Sequence, residues 1–282
     1  MRCVSPISVK DPRYNRGSIR VVVPCGKCGA CRSTRRANWS FRIAEEFRHA
    51  ISARFLTLTY EDSMLPREEG IPTLVKKHTQ LWLKKLRKIN DGRLRYYLVG
   101  EYGGKTGRPH YHVALFNAVG DYEDHIQICW SDGKSNPRGF VHIGFLEPAS
   151  IHYLVKYHVN YDKEKFKGLP IAPEFATMSR NPGIGYQYVE RVGLWNRLNG
   201  KLYLVNNGFK QPLPRYYKEK VFSSVQKQVL QAEAISEADR EYIREVVRLD
   251  KLGYDNPTQE YERRMYEKAL KLMKDAKGKS KF

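Results

Sequence analysis

Hydrophobic positions recur along the chain with two periods, and these separate predicted strands from predicted helices. Segments that are β-rich or apolar and short enough to be strands lie at residues 54–60, 94–102, 109–117 and 139–146. Helical patterns lie at residues 32–50, 74–89 and 148–159. The order strand, helix, strand, strand, strand, helix indicates an α+β fold with a central antiparallel sheet flanked by helices, rather than alternating βαβ units.

Residues 216–282 have a different pattern, which predicts two tail helices. Ser236 with Asp239 resembles a capping box, and Asn256 followed by Pro257 resembles an N-cap and a first helical turn. Apolar residues recur there at three- and four-residue steps: Tyr242, Val246, Leu249, Tyr261, Met265, Ala269 and Leu272. We therefore divide the chain into a cysteine-rich segment with a basic helix, a body and a helical mixed-charge tail: residues 1–50, 51–215 and 216–282.

The chain of 282 residues has a net charge of +20, which favours a polyanionic partner such as nucleic acid. The tail carries fifteen Lys and Arg against twelve Asp and Glu, so most of the net charge belongs to residues 1–215. Hydrophobic residues at 41% are typical of a globular protein and argue against wholesale disorder. The sequence has no apolar run of signal-peptide or membrane-spanning length, so we expect a soluble protein in the cytosol, without membrane contact.

Two histidines and a glutamate form a candidate metal site. His110 and His112 flank Tyr111 in a predicted strand, so the period of two places both imidazoles on one face of the sheet. Glu101 ends the preceding strand, and a hairpin would bring its carboxylate beside them. Two nitrogens and one oxygen with open positions suit a catalytic divalent ion, and a nearby phosphate favours Mg²⁺ or Mn²⁺. The alternatives are a pair of satisfied polar histidines and a solvated Glu101.

The predicted helix at 148–159 carries candidate nucleophiles. Tyr153 and Tyr157 are four residues apart, and hence neighbours on a helix, with Lys156 beside them. The aliphatic positions of this helix cluster on roughly the opposite side: Ile151, Leu154 and Val155. The tyrosines are therefore poorly placed for the apolar core, although packing against another element would also explain them.

Three of the five cysteines form a C-x-x-C-x-x-C run. Cys25, Cys28 and Cys31 have a spacing at which thiolates can share one metal ion, and Cys3 is the nearest candidate for a fourth ligand. A structural zinc site, an unmetallated turn, an iron–sulfur site and a disulfide all remain open at this point. Cys129, beside Trp130, is predicted to be buried.

Clustered cations are candidate contacts to DNA phosphates. They are Arg32, Arg35, Arg36, Lys84, Lys85, Arg108 and Arg180. Arg180 belongs to the glycine- and proline-containing segment 179–188, which predicts a sharp turn whose backbone could approach a phosphate. A purely structural turn is the alternative.

The motifs together resemble a known family. GEYGGKTGRPHYHVALF, with YLVKY downstream, resembles the second and third motifs of the HUH endonucleases, replication initiators and relaxases that nick single-stranded DNA through tyrosine. FLTLTYEDSMLP occupies the place of the first motif. CGKCGACR and MSRNPGIGYQYVE are similar to segments of the gokushovirus-type initiators of the Microviridae. The resemblance covers roughly residues 1–195.

The resemblance implies roles for individual residues. Glu101, His110 and His112 match the metal ligands, Tyr153 and Tyr157 match the paired nucleophiles of the two-tyrosine initiators, and Lys156 matches the lysine of that helix. The first motif departs from many relatives because Tyr60 stands where they have a proline. Thr57 and Thr59 are therefore expected to serve in strand placement or DNA positioning.

The function implied by the resemblance is metal-dependent nicking and rejoining of single-stranded DNA at a phage origin, which starts rolling-circle replication in the host bacterial cytoplasm. The implied partners are single-stranded phage DNA, the origin of the replicative form, and the helicase and DNA polymerase of the host. Three alternatives remain: a plasmid initiator or relaxase with the same site, a non-catalytic basic DNA-packaging protein and an RNA-binding module.

Overall fold

The computed structural model describes residues 3–11, 19–104, 106–119, 122–160, 163–206 and 208–278. The strands and helices follow in chain order: β1 (Ile7–Lys10), β2 (Arg20–Val23), α1 (Gly29–Arg48), β3 (Ala53–Leu58), β4 (Arg67–Glu68), β5 (Ile71–Pro72), α2 (Lys76–Ile89), β6 (Arg95–Tyr102), β7 (Pro109–Phe116), α3 (Tyr122–Cys129), β8 (Val141–Phe145), α4 (Pro148–Asn160), β9 (Phe175–Met178), α5 (Gln187–Leu198), β10 (Tyr203–Asn206), β11 (Phe209–Pro212), α6 (Arg215–Val221), α7 (Ser224–Lys251) and α8 (Pro257–Gly278).

These elements confirm the α+β prediction. The contacts divide the chain into two compact units, residues 39–190 and residues 1–38 with 191–282. The predicted division at residues 50 and 215 stays a prediction. None of the helices among the described residues combines the length and the apolar character needed to span a membrane.

The unit 39–190 is built on a five-stranded antiparallel sheet in the order β8-β3-β7-β6-β9. Strands β3, β6, β7 and β8 and helices α1, α2 and α4 coincide with predicted segments to within a few residues. The sequence pattern did not predict α3, β9 or the small hairpins β1–β2 and β10–β11. Strand β9 is only four residues long and half-buried throughout, so it shows neither a clear alternation nor an apolar run.

The sheet carries an apolar core on each face because its side chains alternate. On one face, Leu98 and Val113 pack with Trp82 of α2. On the other face, Val99 and Ala114 pack with the aliphatic side of α4. The metal-ligand candidates belong to this second face, since Val99 pairs with His112 in the register of β6 and β7.

A tight loop joins β6 to β7. The Gly103 N–H donates to the Arg108 carbonyl at 2.9 Å, and the Gly107 N–H donates to the Gly103 carbonyl at 2.8 Å. Gly107 has a φ of +64°, in the left-handed region where a side chain would strain the backbone. The loop therefore returns the chain directly alongside and sets the register in which Glu101 faces His110.

The tail corrects one prediction and confirms another. Helix α7 runs without a break through Ser236, so the predicted capping box at Ser236 is wrong. The capping box is instead formed by Ser223 and Gln226. Helix α8 begins as predicted, because the Asn256 side chain accepts from the Gln259 N–H at 3.0 Å.

The two long tail helices pack against each other, and a further helix, α6, precedes them. Two of the predicted apolar residues meet between them, with the Tyr242 and Tyr261 ring centroids 5.0 Å apart. The side chains of Ala269 and Leu272 lie outside the described residues.

Candidate metal centre and active site

The β6–β7 hairpin brings the three predicted metal ligands together. The Nε2 atoms of His110 and His112 lie 2.8 Å and 3.0 Å from the Glu101 Oε1 atom. The ligand atoms of all three side chains lie within 4.8 Å of one another. Glu101 and His112 are buried, whereas His110 is partly open to solvent. The strand register alone explains this convergence, because Glu101 is opposite His110 and His112 is two residues further on the same face.

Hydrogen bonds on the far side of each imidazole orient the two rings. The His110 Nδ1 atom lies 3.1 Å from the Arg108 carbonyl, which can only accept, so this nitrogen carries the proton. The His112 Nδ1 atom lies 3.0 Å from the Thr57 hydroxyl. When that hydroxyl accepts, both Nε2 lone pairs point toward Glu101, as metal ligation requires.

The donor set fits a divalent cation. The second carboxylate oxygen of Glu101, Oε2, is buried and makes no hydrogen bond with any residue that the structure describes. A buried carboxylate oxygen without a partner is costly, and a bound cation would remove that cost. Glu101, His110 and His112 would hold the ion, which would polarise a phosphate oxygen when bound.

The charges of this cluster are coupled. Burial opposes ionisation of Glu101, but hydrogen bonds from His110 and His112 lower its pKa overall, so Glu101 is a carboxylate. Burial also opposes protonation of His110, yet the Glu101 carboxylate raises the His110 pKa overall. The pKa of His112 is lowered, principally by burial. The centre therefore holds one negative charge facing the ring nitrogens.

Helix α4 presents both candidate tyrosines to this centre. The Tyr153 hydroxyl lies 3.4 Å from His112 Nε2, and the Tyr157 hydroxyl donates to the Tyr153 hydroxyl at 3.1 Å. The aliphatic residues of the helix face the core, as their spacing predicted: Ile151, Leu154 and Val155. The Lys156 ammonium lies 5.6 Å from the centroid of the Tyr157 ring.

Both phenols are held in their neutral form. Burial raises the pKa of Tyr153, and the nearby Glu101 carboxylate raises it further. Burial, the Tyr153 hydroxyl and Glu101 together raise the pKa of Tyr157. A tyrosine in this position therefore needs added positive charge before it can act as a phenolate nucleophile.

The structure reveals site neighbours that the sequence pattern missed. Thr57 orients His112, and the Phe55 ring stacks on His112 with centroids 5.6 Å apart. Glu174 lies one position beyond the last pair of β6 and β9, Gly100 with Phe175, on the side of Glu101. Burial, followed by the charge of Glu101, raises the Glu174 pKa. Recognition of β9 as a strand would have been the signal for Glu174.

The cysteine cluster lies in the other unit. The Sγ atoms of Cys3, Cys25, Cys28 and Cys31 are within 4.8 Å of one another, so Cys3 joins the run as predicted. The Cys3 and Cys25 sulfurs are 3.5 Å apart, too far for a disulfide. The Cys28 backbone N–H lowers the pKa of Cys25 to about 6, which favours the thiolate that a metal binds. Cys129 is buried away from this cluster, as expected.

The predicted phosphate contacts are in different environments. The Lys85 ammonium donates to Ser131 Oγ at 2.7 Å and to the carbonyls of Ser131 and Asp132, so it anchors that loop. Arg108 forms an ion pair with Asp62 and donates to the Tyr60 carbonyl. Fully exposed cations remain on α1, on α2 and in the turn before α5: Arg35, Lys84 and Arg180. Arg32 and Arg36 are half-buried on α1, beside the cysteine cluster.

Comparison with known proteins identifies relatives. The family model for the replication-associated protein ORF2 matches residues 53–162, the segment that contains the proposed ligands and tyrosines. The chain is 30% identical to the replication-associated protein ORF2 of Spiroplasma virus 4 over 229 residues, which cover 74% of this chain and 71% of that protein.

Two further relatives carry similar names. The replication-associated protein VP4 of Bdellovibrio phage phiMH2K is 25% identical, covering 78% of this chain and 76% of that protein. The replication-associated protein ORF4 of Chlamydia phage 1 is 26% identical, covering 70% of this chain and 53% of that protein. No solved structure matches the chain. The chain belongs to the family of phage replication-associated proteins of the Microviridae type, which confirms the resemblance carried by its motifs.

Proposed function

We propose that this replication-associated protein starts rolling-circle replication by nicking single-stranded DNA at a phage origin and later rejoining it. The observation that carries the proposal is the position of the Tyr153 hydroxyl, 3.4 Å from His112 Nε2 at the candidate metal centre. A nucleophile and a cation-binding cluster on one face of the sheet are what such chemistry requires. The proposal includes host helicase and host DNA polymerase as partners, as the resemblance implies.

The side chains supply the steps of the reaction. A bound Mg²⁺ or Mn²⁺ would stabilise negative charge on the scissile phosphate and on the attacking phenolate. The Tyr153 oxygen forms a bond to phosphorus, and the bond from phosphorus to the 3′-oxygen breaks, leaving a 5′-phosphotyrosine and a 3′-hydroxyl. The phenol loses one proton and the departing oxygen gains one. Lys156 contributes positive charge near the second tyrosine, Tyr157.

Two neighbouring phenols permit alternation between rounds. After one round, the second tyrosine attacks the regenerated site, and the 3′-hydroxyl formed then attacks the first phosphotyrosine and closes the circle. Tyr157 is placed for this role because its hydroxyl contacts that of Tyr153. A Tyr157→Phe variant should nick once and fail to release circles over multiple rounds; undiminished multiple-round release would refute alternation.

The nicking test uses the purified full chain with circular single-stranded DNA carrying the phage origin. Samples with Mn²⁺, with EDTA, and with Mn²⁺ restored in excess after EDTA are separated by denaturing electrophoresis. We expect a covalent protein–DNA adduct that EDTA abolishes and restored Mn²⁺ recovers. The double variant Tyr153→Phe/Tyr157→Phe should lose it, and the control Tyr96→Phe, on the opposite face of the sheet, should keep it.

The same test separates the alternatives. An adduct that survives in the double variant would overturn the assignment of the tyrosines. Salt-sensitive DNA binding without any adduct would overturn nicking in favour of a packaging function. An adduct formed on plasmid origins and not on the phage origin would indicate a plasmid initiator or relaxase.

We also propose that Cys3, Cys25, Cys28 and Cys31 hold a structural Zn²⁺. Four sulfurs within 4.8 Å match the ligand number and type of such sites. Elemental analysis should find one zinc per chain in the wild type and in Cys129→Ser, and little zinc in Cys28→Ser. Iron with visible absorbance would instead indicate an iron–sulfur cluster and overturn the zinc assignment.

A further inference from the structure

A cavity of about 400 Å³ lies at the opposite end of β6 from the candidate metal centre. It is bordered by the end of α2, the loop into β6 and the turn that follows β9. Its polar lining consists of Arg87, Arg93, Arg95, Ser179, Arg180 and Asn181. We call it the basic cavity.

The basic cavity holds three arginines without a counter-charge. Arg87, Arg93 and Arg180 are exposed and form no ion pair with a described residue, and no carboxylate is among the described lining residues. Only the fourth arginine, Arg95, is neutralised, by Glu46. Like charges that converge on one concavity repel one another, and an anion bound between them removes that repulsion.

The turn beside the basic cavity is rigidly built. Arg95 donates to the carbonyls of Pro182 and Gly183 at 2.9 Å and 3.2 Å. The other oxygen of its partner Glu46 accepts from the Gly185 N–H at 2.7 Å. Ser179 pairs with Tyr96 through both its backbone N–H and its hydroxyl. The segment at 179–185 is therefore a structural turn, in line with one of its two sequence interpretations, and it presents Arg180 at a set position.

One of the arginines is oriented by its own packing. The Arg87 guanidinium lies 5.5 Å from the centroid of the Tyr96 ring, which holds the side chain over β6 and toward the basic cavity. A guanidinium that is already oriented loses less conformational entropy when it binds a phosphate, and its planar fork matches two phosphate oxygens.

We propose that the basic cavity binds a backbone phosphate of the DNA strand at a set distance from the scissile phosphate. Six strand positions separate Arg95 from Glu101, which corresponds to about 20 Å. At about 3.4 Å per phosphate in a stacked strand, this distance is about six nucleotides. The location relative to the scissile phosphate rests on the proposed nicking function, whereas the phosphate binding does not.

The test measures binding of labelled single-stranded DNA by fluorescence anisotropy over a range of salt, without added Mg²⁺ or Mn²⁺. The triple variant Arg87→Gln/Arg93→Gln/Arg180→Gln is compared with the control Lys77→Gln/Lys134→Gln/Lys167→Gln, which removes the same charge from exposed positions outside the basic cavity. Each lost phosphate contact lowers the slope of log Kd against log salt by about 0.7. We therefore expect the slope to fall by about 2 in the basic-cavity variant and by clearly less in the control.

Strand length adds a second readout. A tetranucleotide centred on the nick site is too short to reach the basic cavity, so the basic-cavity variant and the control should bind it equally. An equal loss of slope in both triple variants would overturn the proposal in favour of a diffuse positive field. Unequal binding of the tetranucleotide would overturn the proposed spacing.

Two further outcomes are informative. Inorganic phosphate is tested as a competitor, and protection by phosphate alone, with unchanged DNA binding in the basic-cavity variant, would indicate a small-anion site instead. The single variant Arg93→Gln, in an exposed loop, tests the proposal if the triple variant fails to fold, and it should lower the slope by about 0.7. Loss of nicking in the wild type with this slope difference intact would refute the proposed function and leave the basic-cavity assignment standing.

Discussion

Single hydrogen bonds orient the groups on which the proposed chemistry depends. The two imidazoles present Nε2 to Glu101 because their other nitrogens are engaged by Thr57 and by the Arg108 carbonyl. A ligand ring without such a partner can rotate and take the wrong tautomer. The role of Thr57 is therefore more specific than strand placement or DNA positioning, the two roles that its motif suggested.

Removal of the Thr57 hydroxyl should weaken metal binding. Thr57→Val keeps the shape of the side chain and loses the contact to His112 Nδ1, so we expect Mn²⁺ affinity to fall about tenfold. Isothermal titration calorimetry measures this change. Thr59→Val is the matched control, because the Thr59 hydroxyl donates to the Phe140 carbonyl. Equal Mn²⁺ affinity in the two variants would contradict the orienting role.

A second residue-scale prediction concerns acid stability. Burial, followed by the Arg138 charge, lowers the His78 pKa to about 4 in the folded state, against 6.5 in the unfolded chain. Between these values the unfolded chain binds more protons, so the stability contributed by neutral His78 is present above pH 6.5 and is lost as the pH falls toward 4. The midpoint of thermal unfolding should fall more steeply over this range in the wild type than in His78→Gln. Parallel curves would show that His78 contributes nothing to acid sensitivity.

At the scale of elements, short local signals determine where helices begin only when the tertiary setting agrees. Both Ser223 and Ser236 are followed three residues later by a side chain that can complete a capping box, yet only Ser223 caps a helix. Ser236 lies inside α7, where its hydroxyl contacts Arg240 at 3.3 Å. A capping motif inside a long helical pattern is overridden because continuing the helix keeps its backbone hydrogen bonds.

Alanine substitutions distinguish the two serines. Ser223→Ala removes an acceptor for the Gln226 N–H and should lower the free energy of unfolding by about 1 kcal/mol. Ser236→Ala should change it little or raise it slightly, because alanine is the better helix former. Chemical denaturation measures both. A larger loss for Ser236→Ala would restore the helix start that the sequence pattern predicted.

At the scale of the whole molecule, one buried ion pair joins distant parts of the chain. Glu46 of α1, Arg95 of β6 and the backbone at Pro182–Gly185 meet in a single buried network. Glu46 is 1% exposed and Arg95 is 4% exposed, so each charge depends on the other for compensation. The network thereby ties the edge of the sheet that carries the basic cavity to α1.

Breaking this pair should destabilise the fold strongly. Glu46→Gln leaves the Arg95 charge buried without a counter-charge, so we expect a loss of about 3–5 kcal/mol in the free energy of unfolding. Asp62→Asn is the control, because it breaks an exposed ion pair with Arg108 and should cost less than about 1 kcal/mol. Urea denaturation provides the measurement, and similar losses in the two variants would show that the buried network is not a principal source of stability.

The metal centre was predictable from the sequence because its parts are local. Glu101 and the two histidines lie on neighbouring strands joined by one short loop, and the period of two assigns all three to one face. The pairing of Thr57 with His112 was not predictable, since 55 residues separate them and the position of β3 beside β7 depends on packing. Glu174 was missed for the related reason that β9 is recognised only once its partner strand is known.

The sequence by itself determined the α+β class, most of the body's strands and helices, the metal-ligand hairpin and the tyrosine face of α4. These features depend on side-chain periodicity and short loops, which act over a few residues. Only the tertiary structure decided the sheet order, the helix start at Ser223, the Glu46–Arg95 network and the convergence of Arg87, Arg93 and Arg180. These depend on contacts between distant segments, whose chain-closure entropy is compensated only by the packing of the folded whole.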